Sequence, residues 1–261
     1  VPTEHIRLAA HARKKLGLKG PEADKFGRDI AILAGDIQQG WAVETLLKSV
    51  CTGTNPQVAI ILCSLLQRLV NRRLISGECL DIEFPFRKWS SLKAKDIEAM
   101  YAMKTGALLK FCALSGALVA IDDPGEIDSK PVKDIGTFAE SAGIAFQLKD
   151  DWLGLFADEK ETGKPGGSDL STRKPTVMML KAFELCGRAE KELLAESLGK
   201  SKYSAAELQK IRNIVRNSGA EKAVLSMADK YKRKSLDLLG DFPDGKYRRL
   251  LAAWTEYVLG R

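Results

Sequence analysis

The sequence predicts an all-α fold, a single-domain helical bundle spanning residues 1–261. Three observations carry that reading. Apolar residues recur at helical spacing over long stretches, as at Ile60, Cys63, Leu66, Leu69 and Leu74. Proline is scarce, with 9 in 261 residues, so few positions force a helix to stop. No strand-period alternation and no internal repeat is present. A composition of 45% hydrophobic and 29% charged residues is ordinary for a globular chain, and the length buries a sizeable core.

The elements run in order along the chain. Residues 1–19 read as an amphipathic helix ending near Gly17 and Gly20. A helix over 21–50 is closed by the turn Thr52-Gly53-Thr54-Asn55-Pro56, and Pro56 suits the first turn of the next helix, 57–88. Residues 85–91 break that helix, and another covers 93–119. The loop Asp122-Asp123-Pro124-Gly125 reads as a turn, despite its paired aspartates. A helix over 131–157 runs into a loop rich in glycine and charge, 158–174. Helices over 176–198, 204–217, 218–240 and 244–259 complete the chain, and no linker composition marks a domain boundary.

Composition narrows the function classes. The net charge is +7, but the basic residues are spread along the chain without an aromatic-basic recognition pattern, so nucleic acid is not expected. Most lysines read as solvated helix faces. Two histidines, His5 and His11, are too few for a histidine-based zinc site or triad. Five cysteines without a C-x-x-C pair read as reduced core thiols in a cytoplasmic protein. No signal-peptide pattern opens the sequence. Charges break the longest apolar stretches short of the roughly 20 residues a membrane span needs, so no span is expected.

The chemistry concentrates in Phe146-Gln147-Leu148-Lys149-Asp150-Asp151-Trp152-Leu153-Gly154. Adjacent aspartates in an apolar helix are costly unless something neutralises them. Gln147 precedes them by three and four residues and shares their face. Carboxylates on one face suit a hard divalent cation such as Mg2+, which keeps waters and bridges to phosphate oxygens. An Asp-Asp pair alone also reads as a solvated acidic patch at a helix end. The loop over 158–174 favours the cation. It brings glycines for close backbone approach, Lys164 as a point charge for phosphate, a third carboxylate in Asp169, and Lys174. The order G-x-x-x-x-G-K-[ST] of a nucleotide P-loop is absent.

The string FQLKDDWLGLFADEKETGKPGGSDLSTRKPT resembles the second aspartate-rich region of the trans-isoprenyl diphosphate synthases, the polyprenyl synthetase family. Gly154 stands where many members carry a third aspartate, a variant similar to short-chain prokaryotic geranylgeranyl and farnesyl diphosphate synthases. Three more segments match in order. Phe26-Gly27 with Ala31-Ile32-Leu33-Ala34-Gly35-Asp36 resembles the family's F-G…A-x-L-x-G-D helix. Gly77-Glu78-Cys79-Leu80-Asp81 resembles G-Q-x-L-D, with Glu78 in place of the usual glutamine. Met103-Lys104-Thr105-Gly106-Ala107-Leu108 resembles the K-T-G-A-L helix.

The resemblance implies a helical bundle of the isoprenoid synthase type with a central cavity. It implies a magnesium-dependent transferase that condenses isopentenyl diphosphate with an allylic diphosphate, working as a homodimer. It places Mg2+ on Asp150, Asp151 and Asp169. The allylic diphosphate falls to Lys104, Lys164 and Lys174, and the reacting centre to Lys104, Thr105 and Gln147, with Phe146 and Asp81 lining the same substrate site. The family's first D-D-x-x-D motif belongs on the helix before Phe26-Gly27, and counting back lands near Leu8-Ala9-Ala10-His11, without an aspartate. Three explanations stay open. The sequence is an incomplete rendering of a longer chain, the reading the abrupt start at Val1-Pro2 favours. Otherwise the chain is a non-catalytic subunit binding one diphosphate, or a related terpenoid enzyme that ionises a diphosphate without condensing it.

Overall fold

A computed structural model of the chain describes residues 2–157 and 167–260, and every regular element among them is helical, as expected. The described residues fall into two compact units, Val1–Cys63 and Ser64–Arg261.

In the first unit, α1 (Glu4–Lys15) and α2 (Gly20–Lys48) pack as a helical pair. Small residues allow it. Ala9, Ala12, Ala23 and Gly27 are buried, and a Cβ at Gly27 would lie 2.2 Å from the His5 carbonyl oxygen. Arg13 reaches Asp24 at 2.6 Å across the pair. On α2, Ile32, Leu33, Ile37 and Trp41 remain exposed. Gly53, with φ of 109°, makes the turn before α3 (Pro56–Leu65), and the Asn55 side chain accepts from the Gln57 amide.

In the second unit, a π-helical segment (Leu66–Leu74) leads into α4 (Ile75–Glu83). Pro85 then ends the helix, and two 3₁₀ turns, Phe84–Phe86 and Trp89–Ser91, fill the expected break. The next helix runs through α5 (Ala94–Tyr101), a π-helical segment (Ala102–Gly106) and α6 (Ala107–Ile121). The Asp122-Asp123 pair is a turn: Asp122 takes a left-handed φ of 55°, and the Asp123 side chain accepts from the Gly125 amide at 2.8 Å.

The central helix is α7 (Lys130–Phe156), with α8 (Ser168–Ser171) after it. Next come α9 (Val177–Leu185), α10 (Arg188–Ser197), α11 (Ala205–Asn217), α12 (Ala220–Gly240) and α13 (Lys246–Leu259). α7 packs on α6, on the segment Ala102–Gly106 and on α12, where the buried Ser235 hydroxyl donates to the Phe138 carbonyl at 2.7 Å. Ile97, Met100, Tyr101, Leu148, Val177, Met178, Leu194 and Val215 belong to one buried apolar cluster.

Four expectations are corrected. The helix expected over 57–88 ends at Glu83 and contains a π-helical stretch. The helix expected over 176–198 is two helices, because Gly187 is extended and its amide is captured at 2.9 Å by Glu190, which restarts the helix. Only Cys186 of the five free cysteines is buried; Cys51, Cys79 and Cys112 are exposed. Finally, 94–121 is long and apolar enough to cross a bilayer by length and composition, since its most apolar window carries few charges. In the fold Ile97, Tyr101, Leu114 and Leu118 of that stretch are buried, and Lys104 is ion-paired.

Candidate functional site

The site is built where three segments of the second unit touch, and glycines set the distances. A Cβ at Gly77 on α4 would lie 2.5 Å from the Lys104 backbone nitrogen. A Cβ at Gly143 on α7 would lie 3.0 Å from the Gly106 Cα. Two helix backbones therefore press against the segment Ala102–Gly106 from different elements, which only residues without side chains permit. The π-helical geometry of that segment places an extra residue in the turn that carries Lys104 and Thr105, a distortion found often at functional sites.

Lys104 meets Asp81 first. Its Nζ lies 2.7 Å from Asp81 Oδ2 and 3.1 Å from Glu78 Oε2. Lys174 approaches the other Asp81 oxygen at 3.3 Å. Asp81 is thus the common anchor of two lysines that sequence places far apart. Burial opposes charge on both partners, but the pairing wins. The Asp81 carboxyl is held below its usual range by Lys104 and Lys174, and the Lys104 ammonium is held above its own by Asp81 and Glu78. Glu78, the departure from the family pattern, spends its charge on Lys104.

The three aspartates occupy different environments. Asp150 is exposed at the edge of α7. Asp151 is buried, with 6% of its surface accessible. The Tyr101 hydroxyl donates to it, 2.7 Å from both carboxylate oxygens, and the Val177 amide donates at 3.1 Å. Desolvation pushes the Asp151 pKa up to about 8, Tyr101 pulls against it, and the charges of Asp169 and Asp150 add to the rise. Asp151 is therefore turned inward and ties α7 to α5 and to the start of α9. Asp169 lies on α8. Its Oδ2 lies 2.9 Å from where a Cβ on Gly154 would stand, so the bare position 154 makes room for it. The Lys174 amide donates to the Asp169 carbonyl at 2.9 Å, and Arg173 turns there with φ of 55°.

Neighbouring groups fix the end of α7. Arg212 Nε donates to the Leu155 carbonyl at 2.7 Å, placing a cation on the helix C-terminus. Trp152 donates to Glu221 at 2.8 Å and stacks on Phe156. Thr176 caps α9 by accepting from the Met179 amide at 3.2 Å.

Among the expected site residues, Asp81, Lys104 and Lys174 converge, and Asp150 and Asp169 lie close enough to raise the Asp151 pKa. Thr105 and Gln147 stand on the two facing helices. Phe146 lies beside Gln147 on α7. Lys164 lies outside the described residues. Among the described residues, no three His, Cys, Asp or Glu side chains converge as a metal-holding group. Sequence reasoning missed Tyr101. Its signal was a hydroxyl in an apolar run, three residues before Lys104 and so on the same helix face.

The polyprenyl synthetase family model matches residues 21–215. The geranylgeranyl diphosphate synthase of Sulfolobus acidocaldarius is 34% identical over 238 residues, which cover 88% of this chain and 68% of that protein. The geranylfarnesyl diphosphate synthase of Aeropyrum pernix is 32% identical over 238 residues, covering 90% of this chain and 71% of that protein. A geranylgeranyl pyrophosphate synthase from Corynebacterium glutamicum, solved with isoprenyl diphosphate and magnesium, superposes with a TM-score of 0.79 at 25% identity, over 99% of this chain and 70% of that one.

Proposed function

This chain belongs to the polyprenyl synthetase family, and on that premise we propose that it is a prenyltransferase condensing isopentenyl diphosphate with an allylic diphosphate to a short-chain isoprenyl diphosphate. The observation that carries the proposal is the Lys104–Asp81–Lys174 triad facing the acidic end of α7. It sets cations beside carboxylates on a buried scaffold, the arrangement a metal-bound diphosphate needs. The relatives named geranylgeranyl and geranylfarnesyl diphosphate synthases support the same substrate class.

The donor chemistry fits magnesium. The residues present are carboxylates, and the repulsion that Asp169 and Asp150 exert on Asp151 is relieved by a divalent cation. With no convergent trio among the described residues, Asp150 and Asp169 would hold the ion while waters and diphosphate oxygens complete its shell, as magnesium prefers. Asp151, expected as a third ligand, fits a positioning role that fixes the direction of Asp150. When bound, the ion supplies Lewis-acid stabilisation of charge developing on the leaving diphosphate.

The chain's own residues do the rest. Lys104 and Lys174 bind diphosphate oxygens, with Lys164 as a third cation, and Asp81 keeps the first two aligned and holds Lys104 protonated. Thr105 and Gln147 line the reacting carbon, Thr105 steering the proton lost after bond formation. Phe146, beside Gln147 on α7, would help to keep water from the allylic cation. The reading of 1–261 as one isoprenoid synthase-like domain, a homodimer through the exposed apolar face of α2 and a cytoplasmic location belong to the same proposal. The test is condensation of labelled isopentenyl diphosphate with geranyl diphosphate by the purified chain. Magnesium-dependent formation of a longer prenyl diphosphate supports the proposal, and its absence with confirmed folding refutes it.

A further inference from the structure

On another face of the second unit, the 3₁₀ turn Trp89–Ser91 and the start of α5 face the end of α9 across a groove of about 720 Å³. Its floor is apolar. Leu92 and Leu180 are buried there, and Trp89 meets Phe183 edge to face with ring centres 5.2 Å apart. The volume is in the range of sites that take small organic ligands. The Trp89 indole nitrogen is buried without an acceptor among the described residues.

The rim is basic. Lys93, Lys95, Lys181 and Lys191 line it against one acid, Glu184, which is already neutralised by Lys181 at 2.7 Å. Asp96 nearby is occupied by the Lys93 amide at 2.9 Å. Three lysines are thus left in surplus around an apolar floor. The first turn of α5, at Ala94 and Lys95, adds the partial positive charge of a helix start.

We infer that this groove binds an amphiphilic anion, a free molecule with an apolar chain and a phosphate head. The chain lies on Trp89, Leu92, Leu180 and Phe183, and the head is held by Lys93, Lys95 and Lys191. None of these residues belongs to the metal and diphosphate site, so the assignment stands whether or not the proposed condensation is correct. If that condensation is correct, the groove matches the chemistry of its product and gives the chain a second place to hold it.

The test titrates farnesyl monophosphate into the full chain in EDTA, which silences magnesium-dependent binding. Saturable one-to-one binding with a change in tryptophan fluorescence is expected, with the fluorescence change lost in Trp89→Phe. The exposed double substitution Lys95→Glu with Lys191→Glu is expected to weaken binding about tenfold or more. Farnesol and inorganic phosphate, each carrying half the chemistry, are expected to bind far less. Asp150→Ala is expected to bind as the parent does. Absence of saturable binding, undiminished binding by the charge-reversed protein, or loss of binding in Asp150→Ala overturns the inference. So does equal binding of farnesol. Binding confined to vesicles of phosphatidylserine and phosphatidylcholine, without the monomeric probe, would assign the face to a membrane and overturn it as well.

Discussion

Replacing Tyr101 by Phe removes one oxygen and nothing else. That hydroxyl is fully buried and sits 2.7 Å from both oxygens of Asp151, leaving the Val177 amide at 3.1 Å as the carboxyl's remaining donor. An unsatisfied buried polar group costs about 1–3 kcal/mol, so the substitution is expected to destabilise the fold by about 2 kcal/mol. For a chain of this size that corresponds to a melting temperature about 4–8 °C lower. Urea unfolding of the parent, Tyr101→Phe, Asp151→Ala and the double variant reads the coupling directly. The two substitutions are expected to be non-additive by roughly 1 kcal/mol, because each removes one partner of the same contact. Additive losses, or a Tyr101→Phe loss below about 0.5 kcal/mol, would refute the view that Asp151 is an inward anchor.

The same geometry sets three other expectations. Lys174→Ala should weaken magnesium-dependent diphosphate binding about 10- to 100-fold, as loss of an ionic hydrogen bond does, and calorimetry with inorganic diphosphate reads it. Glu78→Gln frees Lys104 from a partly exposed ion pair at 3.1 Å and should tighten diphosphate binding by about 2- to 5-fold; weaker binding would contradict the competition between Glu78 and substrate. Gly143→Ala drives a methyl group to 3.0 Å from the Gly106 Cα and should cost about 1–3 kcal/mol by urea unfolding, with parent-like stability counting against the close approach.

The sequence made the helices legible because their apolar period is long and their stops are glycine and proline. The Pro85 break and the Gly53 turn stand where those residues demand them. It missed the break at Gly187, since no proline stands there and the restart depends on a capping contact from Glu190. It also missed both π-helical stretches, which leave no mark in apolar spacing. The site was legible as a set of residue types, because paired aspartates and lysines around glycines are unusual together. What linear order hides is partnership. Asp81 and Lys174 are 93 positions apart by their numbering, and only the fold makes them neighbours. Burial direction is hidden as well, and so Asp150 and Asp151, adjacent in the chain, part into an exposed carboxylate and a buried one.

The most direct measurement is calorimetric binding of inorganic diphosphate, which lacks the apolar chain, to the parent and to Asp150→Ala, each with magnesium and with EDTA. The parent is expected to bind only with magnesium, and Asp150→Ala in neither condition. Equal affinity of the two proteins, or binding indifferent to magnesium, would contradict a metal-diphosphate site at the end of α7.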